Sequence, residues 1–285
     1  MKYEITEGEW VEFVNSLPAL ARSKRDLTDN NHKNSDSVLY RNTLSCSGSP
    51  LTCSSSRPYR AVSFLNWMDL SAFLDWAALR PITELEFEKI SRGPRLPGKG
   101  EYTWGKTDIT AAAAISGSLE DGAETITTAL ANANFSNTIL SGGDSGLGAD
   151  YQKGPLRGGI FATGSSTRIT SGAGYYGVME LSGNLAERVV TIGNAAGRAF
   201  TGNHGDGSLT TAVGYEGNAD SAGWAGMDVS ADRGVTGAGG SGFRGGSWED
   251  SAVRLRISDR AGAALTATQS QRTYGGRGVR TYDGN

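Results

Sequence analysis

The chain has little with which to bind a transition metal. Its 285 residues include two cysteines and two histidines. A structural metal site closes with four such ligands, and these four are not grouped. Cys46 and Cys53 flank a Gly/Ser/Pro-rich turn, while His32 and His204 lie in polar loops far apart. The cysteine pair leaves two readings open, a disulfide across a short loop or two free thiols. Long hydrophobic runs are also missing. None approaches the roughly 20 residues that span a bilayer, so no membrane-spanning helix is expected. Excess charge of one sign is absent too, at a formal net charge of −3, which gives no general attraction for nucleic acid. Arginines gather near the C-terminus, but Glu249, Asp250 and Asp259 interleave them and no aromatic platform accompanies them. No nucleic-acid partner is expected.

What is abundant is glycine. Its 41 occurrences are well above a usual share of about 7%. With no collagen period, they point to many tight turns and long loops. Met1-Lys2-Tyr3-Glu4-Ile5 reads as a strand leading straight into a helix, with no secretion signal ahead of it. That fits cytoplasmic synthesis before release, or a start inside a longer protein.

Three helices are legible. Thr6-Glu7-Gly8-Glu9 is a capping box, with Trp10, Phe13, Val14 and Leu17 following on one face. A second helix is expected over about Val62–Ala78, carrying Phe64, Trp67, Met68 and Leu74. Thr83-Glu84-Leu85-Glu86 is another capping box, whose helix carries Leu85, Phe87 and Ile90 and stops near Gly93. These aromatic and aliphatic side chains are core material. Residues 106–150 mix Ala, Thr, Ser, Asn and Gly and read as loops and short strands. No linker or repeat divides the chain. The expected architecture is α+β, one domain over residues 1–285, with long irregular loops.

The last forty residues stand apart. Phe243-Arg244-Gly245-Gly246-Ser247-Trp248 and Gly275-Gly276-Arg277-Gly278-Val279-Arg280 bracket a stretch, Ser251 to Thr273, with no sustained apolar period. A fixed frame around an arbitrary insert suits a recognition surface. Just upstream, Gly237-Ala238-Gly239-Gly240-Ser241-Gly242 fits the GxGxxG spacing. The Phe243-Arg244-Gly245-Gly246 that follows cannot open a helix, so no dinucleotide site is expected.

The order of six segments closely resembles the formylglycine-generating-enzyme (sulfatase-modifying factor) family. They are the Glu4-Ile5-Thr6 helix start, Val62-Ser63-Phe64, Arg80-Pro81-Ile82-Thr83-Glu84-Leu85-Glu86, Tyr102-Thr103-Trp104-Gly105, Leu181-Ser182-Gly183-Asn184-Leu185-Ala186-Glu187 and Arg244-Gly245-Gly246-Ser247-Trp248. The likeness runs from Tyr3 to Arg280 and implies a C-type-lectin-like fold. Copper enzymes of that family oxidise a substrate cysteine with paired cysteines soon after the Arg-Gly-Gly-Ser-Trp motif. Here the stretch reads Glu249-Asp250-Ser251-Ala252-Val253-Arg254-Leu255-Arg256. It holds no thiolate, the soft ligand that Cu(I) requires. The related sulfoxide synthases use three histidines on iron, one more than this chain has.

The tail is most similar to the variable proteins of diversity-generating retroelements, which display a hypervariable C-terminal region on this fold. The resemblance implies a non-enzymatic binding protein, carried on a virion or bacterial cell surface, whose residues of about 244–280 meet a protein or cell-surface ligand. In that family adenines are randomised in AAC or AAT codons, which cannot yield Glu, Gln, Lys, Met or Trp. Asp250, Ser251, Val253, Leu255, Ser258, Ala261, Gly262, Ala264 and Thr273 are reachable outcomes and become the candidate ligand-binding residues. Glu249, Gln269 and Gln271 are not reachable. Arg256 and Arg260 match the frame and are expected to be structural. No cofactor is required. Asn184 and Glu187, hard oxygen donors in a segment that binds calcium in some members, are candidate ligands for a structural calcium. The alternative function is a formylglycine-generating-type oxidoreductase.

Overall fold

The computed structural model describes residues 1–281; residues 282–285 of the expected 1–285 domain lie outside the described residues. Helix α1, Glu7–Ser16, begins at the expected capping box. The Thr6 hydroxyl accepts from the Glu9 N–H at 3.2 Å, and the Glu9 carboxylate accepts from the Thr6 N–H at 2.8 Å. Trp10, Phe13 and Val14 are buried on its inner face. A short helix the sequence did not announce, α2 (Ala19–Lys24), follows Pro18, whose fixed φ suits a helix entry. Strands β1, Leu44–Ser47, and β2, Thr52–Ser55, form a hairpin that sets Cys46 opposite Cys53, and the pair is joined as a disulfide.

Helix α3 spans Trp67–Trp76, five residues later at its start than the apolar spacing predicts. Asn66 caps it, accepting from the Asp69 N–H at 2.9 Å, and Phe64 sits at φ +69, outside any helix. Val62 to Leu65 instead form no regular element. Val62 N–H donates to Ile5 at 2.9 Å and Phe64 N–H to Gln271 at 3.1 Å. The expected N-terminal strand shrinks likewise to a single bridge, Thr6 to Ala61.

After β3, Arg80–Pro81, helix α4 covers Glu84–Arg92 and ends at Gly93, as its capping signals predict. Phe87 is buried, but Leu85 is 60% exposed and leaves the expected apolar face. Residues two apart cannot share a helix face. Residues 106–150 form none of the expected short strands; isolated bridges such as Ala111 to Ala133 and two 3-10 turns near their end order them, over a small core around Ile115 and Leu140 that Leu156, Ile160 and Phe161 complete.

The site-bearing sheet comes late in the chain. Strand β4 is Ala186–Val190, a four-residue helix α5 is Ala195–Arg198, and β5 is Ser241–Arg244. Strands β6, Tyr274–Gly275, and β7, Gly278–Val279, are the last among the described residues, and a 3-10 turn, Ala252–Leu255, lies between β5 and β6. The order is β5-β4-β6, with β5 antiparallel and β6 parallel to β4, while β3 pairs with β7. The N-terminal residues meet the β6–β7 region. The Met1 ammonium donates to Gly278 at 2.6 Å, and Ile5 N–H to Gly276 at 3.0 Å. The architecture is α+β, with few helices and small sheets. No helix among the described residues is long and apolar enough to cross a membrane.

Candidate functional site

The two faces of β4 and β5 do different work. On one face Glu187 lies opposite Arg244. Arg244 donates to Glu84 at 2.9 Å and Glu88 at 2.7 Å, both on α4, and to the Ile257 carbonyl. Its guanidinium stands over the Phe87 ring at 5.0 Å. Glu187 holds the fully buried Arg277 through both oxygens, at 2.7 and 2.5 Å. The Arg277 guanidinium also reaches the carbonyls of Lys2 (2.9 Å) and Met179 (2.8 Å). Pairing and hydrogen bonding offset the cost of burying charge, and these two arginines tie both parts of the frame to the core.

The opposite face is aromatic. Phe243 and Tyr274 have ring centroids 4.2 Å apart, and the buried Arg188 guanidinium lies against both, at 4.2 and 5.2 Å. Burial pulls Arg188 down to about 10, and its Nε and Nη1 have no partner among the described residues. Over this floor opens a cavity of about 220 Å³, rimmed by Asp250, Arg254, Asp259 and Leu265. Arg254 and Asp259 meet at 3.4 Å on the exposed rim.

Gly245 and Gly246 make the turn that ends β5. Both have positive φ, +86 and +67, and a side chain at Gly245 would press on the Leu181 carbonyl. Trp248 is then drawn inward. Its N–H donates to Asn184 at 2.8 Å, its carbonyl accepts from Asn137 at 2.8 Å, and its indole N–H reaches Arg272 at 3.3 Å.

The nine candidate residues divide by burial. Ser251, Val253, Ser258, Ala261 and Ala264 are exposed. Asp250, Gly262 and Thr273 are half-buried and line the cavity, and each is engaged in the frame. The Asp250 carboxylate accepts from the Ser247 N–H and hydroxyl at 2.9 and 2.8 Å. The Gly262 carbonyl takes the Phe243 N–H at 2.9 Å, and the Thr273 carbonyl the Ala186 N–H at 2.8 Å. Leu255 must be corrected. It is fully buried against Tyr102, Trp104 and Phe135 and offers nothing outward.

Of the two arginines expected to be structural, Arg260 grips Glu84 at 2.6 and 2.9 Å. Arg256 lies beside Gly100, and its buried Nε has no partner among the described residues. Asn184 and Glu187 are both committed within the protein. The Asn184 side chain accepts from Leu156 N–H at 2.8 Å and Asn134 at 3.1 Å, and donates to Glu4. Calcium at this pair would have to break the Glu187–Arg277 contact. A second group of hard oxygen donors, Asp75, Asp206 and Asp220, comes together within 4.8 Å. There Asp75 already accepts the N–H groups of Asp206, Asp220 and Ser221.

Sequence reasoning missed Glu84, the carboxylate shared by Arg244 and Arg260, and Arg188 beneath the aromatic floor. Glu84 stood in plain view inside a capping box, but its partners lie 160 and 176 residues away. A family model described as "Sulfatase-modifying factor enzyme 1-like domain" matches residues 1–282. No curated protein matches the chain.

Proposed function

Because the chain belongs to the sulfatase-modifying factor enzyme 1-like family, with a C-type-lectin-like α+β fold, we propose that it is a non-enzymatic member of that family. In this reading it is a variable protein of a diversity-generating retroelement, carried on a virion or bacterial surface, whose C-terminal segment binds a protein or cell-surface ligand. One observation carries the reading. Between Trp248 and Tyr274 the exposed side chains Ser251, Val253, Ser258, Ala261 and Ala264 are interspersed with buried anchors, Leu255, Ile257 and Ala263. Such a segment can change its outward chemistry while its backbone stays tied.

The family's copper chemistry finds no fitting donors here. Both cysteines are joined to each other across the β1–β2 hairpin, and residues 249–256 hold no thiol. Carboxylates and hydroxyls do not replace the soft thiolates of a Cu(I) site, so no oxidative step is derived. A formylglycine-generating-type oxidoreductase is the competing reading, and family membership speaks for it. Two experiments separate them. The gene neighbourhood is expected to hold a reverse transcriptase and a near-identical template repeat differing at adenines; its absence would sink the diversified reading. Purified chain incubated with copper and a cysteine peptide is expected to leave the thiol unchanged. Oxidation of that cysteine would overturn the non-enzymatic reading.

A further inference from the structure

Helix α4 ends in a surface feature that none of the C-terminal segment helps to build. Gly93, at φ +66, closes the helix, and the Tyr175 ring lies so close that any side chain at 93 would overlap it. The Tyr175 N–H donates to two of the helix's last carbonyls, Ile90 at 2.9 Å and Ser91 at 3.1 Å. The ring is therefore fixed, yet still 37% exposed. Tyr176 stands edge-on to it, with centroids 5.0 Å apart at 77°, and is 57% exposed.

Two guanidiniums lie against this ring, Arg168 at 5.4 Å and Arg95 at 5.8 Å from its centroid. Arg168 is oriented by carbonyls alone, those of Ser91 (2.8 Å), Thr103 and Ala173 (3.4 Å). Arg95 is exposed. Among the described residues neither arginine has a carboxylate within ion-pairing distance. The nearby acids Glu88 and Glu101 are taken by Arg92. Burial first, and the charge of Arg95 second, hold Arg168 below the usual arginine range. Two like charges on one rigid aromatic, without a counter-charge, make a site that lacks an anion.

We propose that Arg95, Arg168, Tyr175 and Tyr176 form a second binding site, for an acidic sugar residue of a glycan. The C–H face of the pyranose stacks on the more exposed Tyr176 ring, and its carboxylate is received by the two guanidiniums gathered at Tyr175. The backbone around the tyrosines argues against an extended peptide. Tyr175 N–H is used by α4, Gly174 N–H by Val178 at 2.7 Å and Gly177 N–H by Gly174 at 3.1 Å, so no strand edge is offered. A nucleic-acid track needs a longer basic stripe than this, and α4 carries Glu84, Glu86 and Glu88.

Calorimetric titration tests the assignment with an oligosaccharide of alternating glucuronate and N-acetylhexosamine, a neutral oligosaccharide of equal length, polyglutamate and oligothymidylate. Arg95→Gln and Tyr176→Ala change exposed groups, and circular dichroism verifies that both variants fold. The acidic oligosaccharide is expected to bind at least about tenfold more tightly than the neutral one, and each variant to weaken it about fivefold or more. No binding of the acidic sugar, equal binding of the neutral one, or unchanged binding by the folded variants would overturn the proposal. So would polyglutamate or oligothymidylate binding as tightly as the acidic sugar.

Discussion

The frame and the segment it brackets are neighbours in sequence and opposites in construction. In Phe243–Trp248 and Tyr274–Arg280 two of the three charges are buried and paired, Arg244 on Glu84 and Glu88 and Arg277 on Glu187, while Arg280 is exposed. Across Ser251–Thr273 about half of the side chains are exposed, and the charged pair Arg254–Asp259 is loose at 3.4 Å. The difference shows how a surface can be free to vary without the fold following it. Rigidity is concentrated in a few buried contacts of long sequence separation. The segment buries Leu255, Ile257 and Ala263, and is also tied by Arg260 on Glu84 and by backbone groups of Gly262, Gln271 and Thr273.

The comparison breaks most sharply at Arg277. Replacing it with Met leaves Glu187 buried without its cation, beside the buried Glu4 and Glu180. A loss of about 3–5 kcal/mol is expected in chemical denaturation, as for other broken buried pairs. Leu255→Ala comes next, at about 2–5 kcal/mol, although residue 255 lies inside the segment. Val253→Ala, two residues away and 52% exposed, should shift the denaturation midpoint hardly at all, within about 0.5 kcal/mol.

Acidity sharpens the contrast further. Burial raises Glu180 to about 7, with Glu187 adding to the shift while the Gly159 N–H, Arg277 and Arg157 oppose it. Glu4 is raised as well, by burial and then by Glu187. A carboxyl whose folded pKa is raised favours the fold while protonated. Its contribution is complete below the ordinary carboxylate range and is lost as pH rises through about 7. Stability measured from pH 5 to 8 should therefore fall, and Glu180→Gln should flatten the slope. Ser258→Asn, on the exposed segment, should leave that pH profile unchanged and is the smallest effect expected.

Much of the fold was legible because local signals govern helix starts. Both capping boxes open helices, and Gly93 closes one. The start of α3 was misread because apolar spacing continues upstream of Asn66, where Phe64 in a left-handed conformation serves the core without being helical. Leu85 was misread for a simpler reason, since two residues of separation put it opposite Phe87. The cysteines could not be decided from spacing alone; their pairing follows from the β1–β2 register. The candidate site was legible as a place, but not residue by residue. An irregular segment has no period, so nothing in the sequence separates buried Leu255 from exposed Val253. Nor could it show that Glu84 and Arg244 meet, or that Asn184 serves four partners inside the protein.

The central claim is that the outward chemistry of the C-terminal segment can change while the frame holds. It is tested most directly by randomising Ser251, Val253, Ser258, Ala261 and Ala264 together, displaying the variants and selecting them against several unrelated proteins. The account predicts that most variants fold with near-parental stability and that selection yields specific binders, each losing its target when these five positions revert. A library that mostly fails to fold, or folds but yields no binder dependent on these positions, would contradict it.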